Sequence, residues 1–284
     1  MKILNSKLLM LFVASSFLFV SCENSDIETV DLSEPISADE AVALAEADDV
    51  SDEVNNVIDD FFVETEVAGK SEDAEKSEDF LPCLTKTIVL TEFTKTVTFD
   101  FGDGCELPNG NVLSGKIIMS HAIDIDVQSL TVSYTFENFY FNELNIVGGN
   151  TMVRVRENEN GNPESTLTMD VKIIWPDGDY ASREGTKVRE WIEGADTRTF
   201  GDNVFLITGR WATTFKDGTV FSSNIIEPLR REMSCRFIVS GIVELHKQDR
   251  EGTLDFGDGS CDNVAIFTNA SGEEFEVTLR GLHF

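Results

Sequence analysis

Leu167-Thr168-Met169-Asp170-Val171-Lys172-Ile173 puts an apolar residue at every odd position and a polar one at every even position, and Trp175-Pro176-Asp177-Gly178 follows after Ile174. Successive side chains of an extended chain point to opposite faces, so this run has one buried and one wet face. The Asp-Gly pair then turns the chain back on itself. The same period of two recurs at Val97, Phe99 and Phe101, at Ile123, Ile125 and Val127, and at Phe275, Val277 and Leu279. Further turn signals stand at Asn109-Gly110, Asn160-Gly161, Asp217-Gly218 and Ser271-Gly272. No amphipathic helix of useful length interrupts the pattern after Leu81. Residues 81–284 are therefore predicted to be an all-β domain, an antiparallel curved sheet or sandwich.

Upstream of Leu81 the character changes. Residues 64–80 are polar and charged, without a packing face, and read as a linker. Before them Val54, Val57, Ile58, Phe61 and Phe62 recur at helical spacing, and Ser37-Ala38-Asp39-Glu40 fits a capping box, so an acidic amphipathic helix is expected over about 38–63, with a break near Asp48–Ser51. Residues 22–80 thus form an acidic tether carrying one helix. Its stripe could dock on the β domain or meet another helix. The chain begins with Lys2 and Lys7, an apolar run at residues 8–20, and Ser21-Cys22. That run of 13 residues is too short to span a bilayer. The pattern resembles a bacterial lipoprotein signal, which implies cleavage after residue 21 and acylation of Cys22. Phe19 departs from the usual aliphatic residue at its position. Glu23, Asp26, Glu28 and Asp31 then follow with no basic residue before Lys70. This resembles the surface-export signal of Bacteroidota lipoproteins, and implies the outer face of the outer membrane; a plain solvated tether is the alternative.

Two internal echoes run through the β domain. Asp100-Phe101-Gly102-Asp103-Gly104-Cys105 returns as Asp255-Phe256-Gly257-Asp258-Gly259-Ser260-Cys261. Each copy has a cysteine upstream, Cys83 22 residues before Cys105 and Cys235 26 before Cys261. A weaker echo sets a glycine inside a strand at Gly115, Gly149, Gly209 and Gly241, which usually marks a bulge where a sheet bends. With Cys22 on lipid, four cysteines remain in an oxidising compartment and allow three pairings. The repeat favours Cys83–Cys105 and Cys235–Cys261; a cross-repeat pair or free buried thiols are the alternatives. At these residues, with Gly115-Lys116-Ile117-Ile118 after the first turn, the chain resembles a group of uncharacterised Bacteroidota surface lipoproteins. The resemblance implies location and architecture, and brings no activity with it.

Charge narrows the partners. The formal net charge is −30, of which residues 23–80 contribute 21 acids against two lysines and residues 81–284 contribute 31 acids against 18 bases. Such a field does not attract nucleic acid or anionic lipid, so membrane contact is expected through the anchor alone. His121, His246 and His283 share no metal spacing, the cysteines are not closely paired, and no metal or other cofactor is expected. Asp100, Asp103, Asp255, Asp258 and Asp262 supply oxygen near glycines, yet lack the ligand order of a calcium loop and read as turn residues. Trp175, Asp177 and Tyr180 flank one turn and are the candidate ligand-binding residues, as a platform for a sugar ring. Trp211, behind Gly209, reads as core. No nucleophile elbow, phosphate loop or zinc helix is present in the sequence. The expected function is a non-enzymatic binding or adhesion module for a glycan or an envelope or extracellular protein. The alternatives are an accessory subunit docking through helix 38–63 and, third, a carbohydrate-active enzyme.

Overall fold

The alternating stretches become fourteen strands. The structure, a computed structural model, describes residues 35–68, 81–107, 110–123, 128–197, 200–235 and 237–279, with backbone alone for 59–68 and 200. The expected signal segment, Cys22, the acidic stretch to residue 34 and most of the linker lie outside the described residues. In chain order the elements are α1 (Ala38–Ala68), β1 (Thr85–Leu90), β2 (Thr94–Asp100), β3 (Cys105–Glu106), β4 (Val112–Ala122), β5 (Ser129–Phe141), β6 (Leu144–Val155) and β7 (Glu164–Ile174). They continue with β8 (Tyr180–Glu193), β9 (Val204–Phe215), β10 (Val220–Glu232), β11 (Ile238–Lys247), β12 (Arg250–Asp258), β13 (Val264–Asn269) and β14 (Glu274–Thr278). All belong to one open antiparallel sheet in chain order from β1 to β14, with the two residues of β3 paired beside β4. A single sheet, not a sandwich, is the outcome.

Short reversals make this meander possible. Asn160-Gly161, Asp177-Gly178, Asp217-Gly218 and Ser271-Gly272 each fall between consecutive strands. Between β5 and β6 the reversal is made by Asn142 (φ 55°), and between β11 and β12 by Gln248 (φ 56°), in place of glycine. The four echo glycines all lie beside shifts of register, at Ser114/Lys116, at Thr135/Phe139 opposite Gly149, at Asn224/Leu229 opposite Gly209, and at Ser240/Ile242. Such bulges add twist and bend a sheet. At Gly115 the backbone adopts φ 75°, and an added Cβ would stand 1.9 Å from the Asn138 carbonyl oxygen.

The bent sheet encloses α1. The capping box forms as expected, with the Ser37 N–H donating to Glu40 Oε2 at 2.9 Å and the Glu40 N–H donating to Ser37 Oγ at 3.2 Å. Buried positions include Ala41, Leu44, Ala45, Ala47, Val50, Val54, Val57 and Ile58. At ~100° per residue these cover about two-thirds of the helix circumference, far more than a helix lying on a flat sheet would bury. No side chain from Glu40 to Ile58 is exposed. The polar contacts show the same enclosure. Asn55 Oδ1 accepts from Tyr134 of β5 at 2.6 Å and from Asn150 of β6 at 3.2 Å, while Glu53 faces Arg231 of β10 at 3.8 Å and Glu40 pairs with Lys247 of β11.

Three expectations change. The helix is continuous from Ala38 to Ala68, without a break at Asp48–Ser51, and residues 64–68 belong to it. It also belongs to the β body, since Pro35 to Leu279 lie in one compact unit, and its Val54 and Ile58 stripe is covered by this chain's own sheet. Finally, β4 stops at Ala122 and Ile123 is exposed; Ile125 and Val127 lie outside the described residues. His121 packs inward, with Nδ1 2.9 Å from the Ala122 carbonyl oxygen.

The disulfides follow the repeat. Cys83–Cys105 and Cys235–Cys261 are bonded, with Cα–Cα distances of 5.4 and 5.6 Å. Each closes the same unit: a cysteine, a hairpin (β1–β2 or β11–β12), the Asp-Phe-Gly segment, which follows β2 in the first copy and lies within β12 in the second, and a second cysteine. Asp100 Oδ1 accepts the Gly102 N–H at 3.0 Å and Asp255 Oδ1 the Gly257 N–H at 2.8 Å, so the repeated aspartates close their own turns. Among the described residues no helix is long and apolar enough to cross a membrane.

Candidate functional site

Strand β8 builds the floor of the site. Alternation directs Ala181, Arg183, Gly185, Lys187 and Arg189 toward α1, which brings Asp48, Asp52 and Asn56 against them. Arg183 is wholly buried, donating to the Ala47 carbonyl at 3.0 Å and pairing with Asp48. Lys187 Nζ donates to both Asp52 oxygens at 2.8 and 2.9 Å. Arg189 donates to Asn56 Oδ1 at 3.1 Å and lies 3.6 Å over the Phe205 ring. Trp211 of β9 lies under the first two cations, 5.5 Å from Arg183 and 4.3 Å from Lys187. Its approach requires Gly185, where a Cβ would stand 2.5 Å from the Trp211 backbone.

Burial dominates the electrostatics. It pulls the Arg183 guanidinium below its ordinary value. It also pulls Lys187 down, against the opposing pull of Asp52. Burial raises the Glu40 carboxyl, but Lys247 and the Ser37 backbone outweigh it and leave that group below the ordinary value. Asp49 goes the other way. Burial first, then the neighbouring carboxylates Asp52 and Glu53, push it up to about 8, against the partial relief of Lys187 and Arg231.

Between α1 and the sheet lies a cavity of about 80 Å³. Its polar rim is Asp49, Asp52, Glu53 and Asn55 from the helix, faced by Lys187, Arg189 and Arg231. Met152, Leu167, Ile207, Phe237 and Ile238 make the apolar wall. Asp49 Oδ2 and Asn55 Nδ2, both of rim residues, are sealed from solvent without a hydrogen-bond partner. An apolar wall with a few convergent polar groups and a displaced carboxyl pKa is the make-up of a small-ligand pocket.

The residues expected to bind a ligand lie elsewhere. Trp175 is half-buried against the core, and its Nε1 donates to Glu46 of α1 at 3.3 Å. The Tyr180 ring is half-buried beneath Lys172 Nζ, 4.3 Å from its centroid. Exposed Asp177 accepts the Asp179 N–H at 2.9 Å and so closes its own turn. The loop does not present the two rings as an open flat ridge. Trp211 fills the core as expected, 4% exposed. Sequence reasoning passed over Asp49, Asn55, Arg183 and Lys187. Their one legible signal was the run of cations at odd positions of β8, on the face where Ala181 is buried. Among the described residues no group of three or more His, Cys, Asp or Glu side chains is placed to hold a metal ion. No family model matches the chain, and no match was found among the curated proteins or the solved structures.

Proposed function

We propose that this is a lipid-anchored outer-membrane protein facing the cell exterior, a non-enzymatic binding module whose ligand is an envelope or extracellular protein. The edge strand β1 carries the reading. All six of its residues are exposed, with Ile88, Val89 and Leu90 at 46%, 53% and 66%, and Phe93 at the hairpin tip reaches 71%. Exposed Ile123 joins them, its N–H bonded to the Phe93 carbonyl at 3.0 Å. No described strand pairs with the outer edge of β1. Edge strands are ordinarily guarded by charge, proline or a bulge, whereas Leu84 to Thr91 holds a single charge, Lys86, in a chain of net charge −30. An apolar, acid-free edge in so acidic a chain suits strand addition by a partner.

The chain enters α1 at the end of the sheet where Glu40 meets Lys247, and the Phe93–Ile123 tip lies at the opposite end. An anchor at Cys22 would be separated from Pro35 by 12 residues, a reach of at most roughly 45 Å. A photo-reactive phenylalanine analogue at Leu90 of the full chain on intact cells tests the reading. Discrete crosslinked proteins at Leu90, lost with Val89→Lys and absent from the same probe at exposed Val220, are expected. No crosslink at Leu90, a glycan crosslink instead, or a body that resists protease until the cells are lysed would overturn the reading.

A further inference from the structure

We propose that the outer face of strands β2–β8 is a binding surface for a neutral polysaccharide chain. The site needs neither the β1 edge nor the lipid anchor. Register pairing sets six hydroxyl residues side by side: Thr96 of β2, Ser120 of β4, Ser133 of β5, Thr151 of β6, Thr168 of β7 and Thr186 of β8. Their neighbours along the strands, such as Met119, Tyr134 and Met169, are buried on the inner side, so the hydroxyl row points outward. Thr96 Oγ1 lies 3.3 Å from Ser120 Oγ, and Ser133 Oγ 3.4 Å from Thr151 Oγ1. A second outward row, two residues along the strands, is Thr131, Val153, Thr166, Val188 and Thr208.

Neither row holds a charge, in a chain where 26% of residues are charged. Strand propensity accounts for threonine and valine but not for the missing charges. The same face carries Asp170 and Glu184 on one side of the two rows and Glu164 and Glu190 on the other. Past β8 the hydroxyl row continues as Arg210, Asn224 and Glu244. Charged margins therefore bound a neutral patch.

Charge and composition choose its occupant. An anionic polymer meets a net charge of −30 and finds no cation in either row. A protein partner would be anchored by Trp, Tyr or Arg, whereas Ser, Thr and Val are under-represented among such anchors. A neutral sugar chain offers hydroxyls and C–H faces. Each threonine answers with a hydroxyl that both donates and accepts, beside a methyl. Strands stand about 4.8 Å apart, so the six hydroxyls span about 24 Å, the length of about five sugar units in an extended chain. Sheet twist carries the row along a curve, which a flexible chain follows and a flat crystalline surface does not.

Binding of the full chain to sensor-immobilised β-glucan, galactomannan and dextran, with polygalacturonate as the anionic control, tests this. Retention on at least one neutral polymer is expected, unchanged between about 0.05 and 0.5 M salt because no ion pair is involved. Oligosaccharides cut from that polymer should compete more strongly with length, up to about five units. Thr151→Val with Thr168→Val and Thr186→Val keeps the side-chain shape and removes three hydroxyls. This variant should bind at least tenfold more weakly, yet melt as the parent does and keep its crosslinks at Leu90. Thr168→Glu, which sets a carboxylate in the row, should weaken binding as much, and Glu244→Gln, outside the neutral patch, should not change it. No binding to any neutral polymer, preference for polygalacturonate, undiminished binding by the triple variant, or a face that instead pairs two copies of the chain would overturn the assignment.

Discussion

Asp49 shows at the scale of one residue how the fold stores an unfavourable group. Its carboxyl is raised to about 8 in the folded chain and returns to the ordinary 3.8 on unfolding. The native state therefore holds a proton that the unfolded state has released, and stability falls as pH rises from about 4 to about 8. Asp49→Asn removes that penalty. Denaturant unfolding should show the variant more stable than the parent, the gain growing by up to about 1.4 kcal/mol per pH unit across that window and levelling above it. A gain that does not change with pH would contradict the burial. Gly115 fails in the opposite direction, because Gly115→Ala must place a Cβ 1.9 Å from a carbonyl oxygen at φ 75°. A loss of more than about 2 kcal/mol is expected from the same measurement. The glycine was legible in the sequence from its echoes at Gly149, Gly209 and Gly241. Asp49 was not, because its raised carboxyl comes first from burial, and the strands that bury it lie far away in sequence.

Elements show the same division between local and distant causes. Strands were legible wherever one face is buried, as at Leu167–Ile173, since alternation is set by the residues themselves. Ile123, Ile125 and Val127 alternate equally well, yet β4 ends at Ala122 and Ile123 is exposed beside the Phe93 hairpin tip. Asp48–Ser51 reads as a helix break because three polar residues surround Val50. Inside the sheet Asp48 pairs with Arg183, and Asp52 one residue past the segment pairs with Lys187, so tertiary pairing overrides local propensity. Removing one partner of such a buried pair leaves a charge behind, and Arg183→Met should destabilise by about 3 kcal/mol in a thermal melt. The disulfide units were legible from their repeat. Cys235→Ser with Cys261→Ser opens a loop of 26 residues and should cost about 3 kcal/mol, while Cys83–Cys105 survives in a non-reducing peptide map.

At the scale of the whole molecule, helix α1 and the β domain form one compact unit. Five cations from the sheet side, Arg183, Lys187, Arg189, Arg231 and Lys247, face the helix, and the apolar rows of β2 to β14 share their side of the sheet. A sheet without α1 would expose both. The order from end to end, chain entry at Lys247 and apolar tip at Phe93, depends on the helix lying along β8, as does the cavity. Hydrogen exchange of the full chain, read by mass spectrometry, measures this enclosure directly. Amides of residues 41–58 exchanging as slowly as those of 183–189, and opening together with them as denaturant is raised, is the expected result. Rapid exchange of 41–58 while β8 stays protected would make the helix a tether after all, and would remove the cavity beneath it.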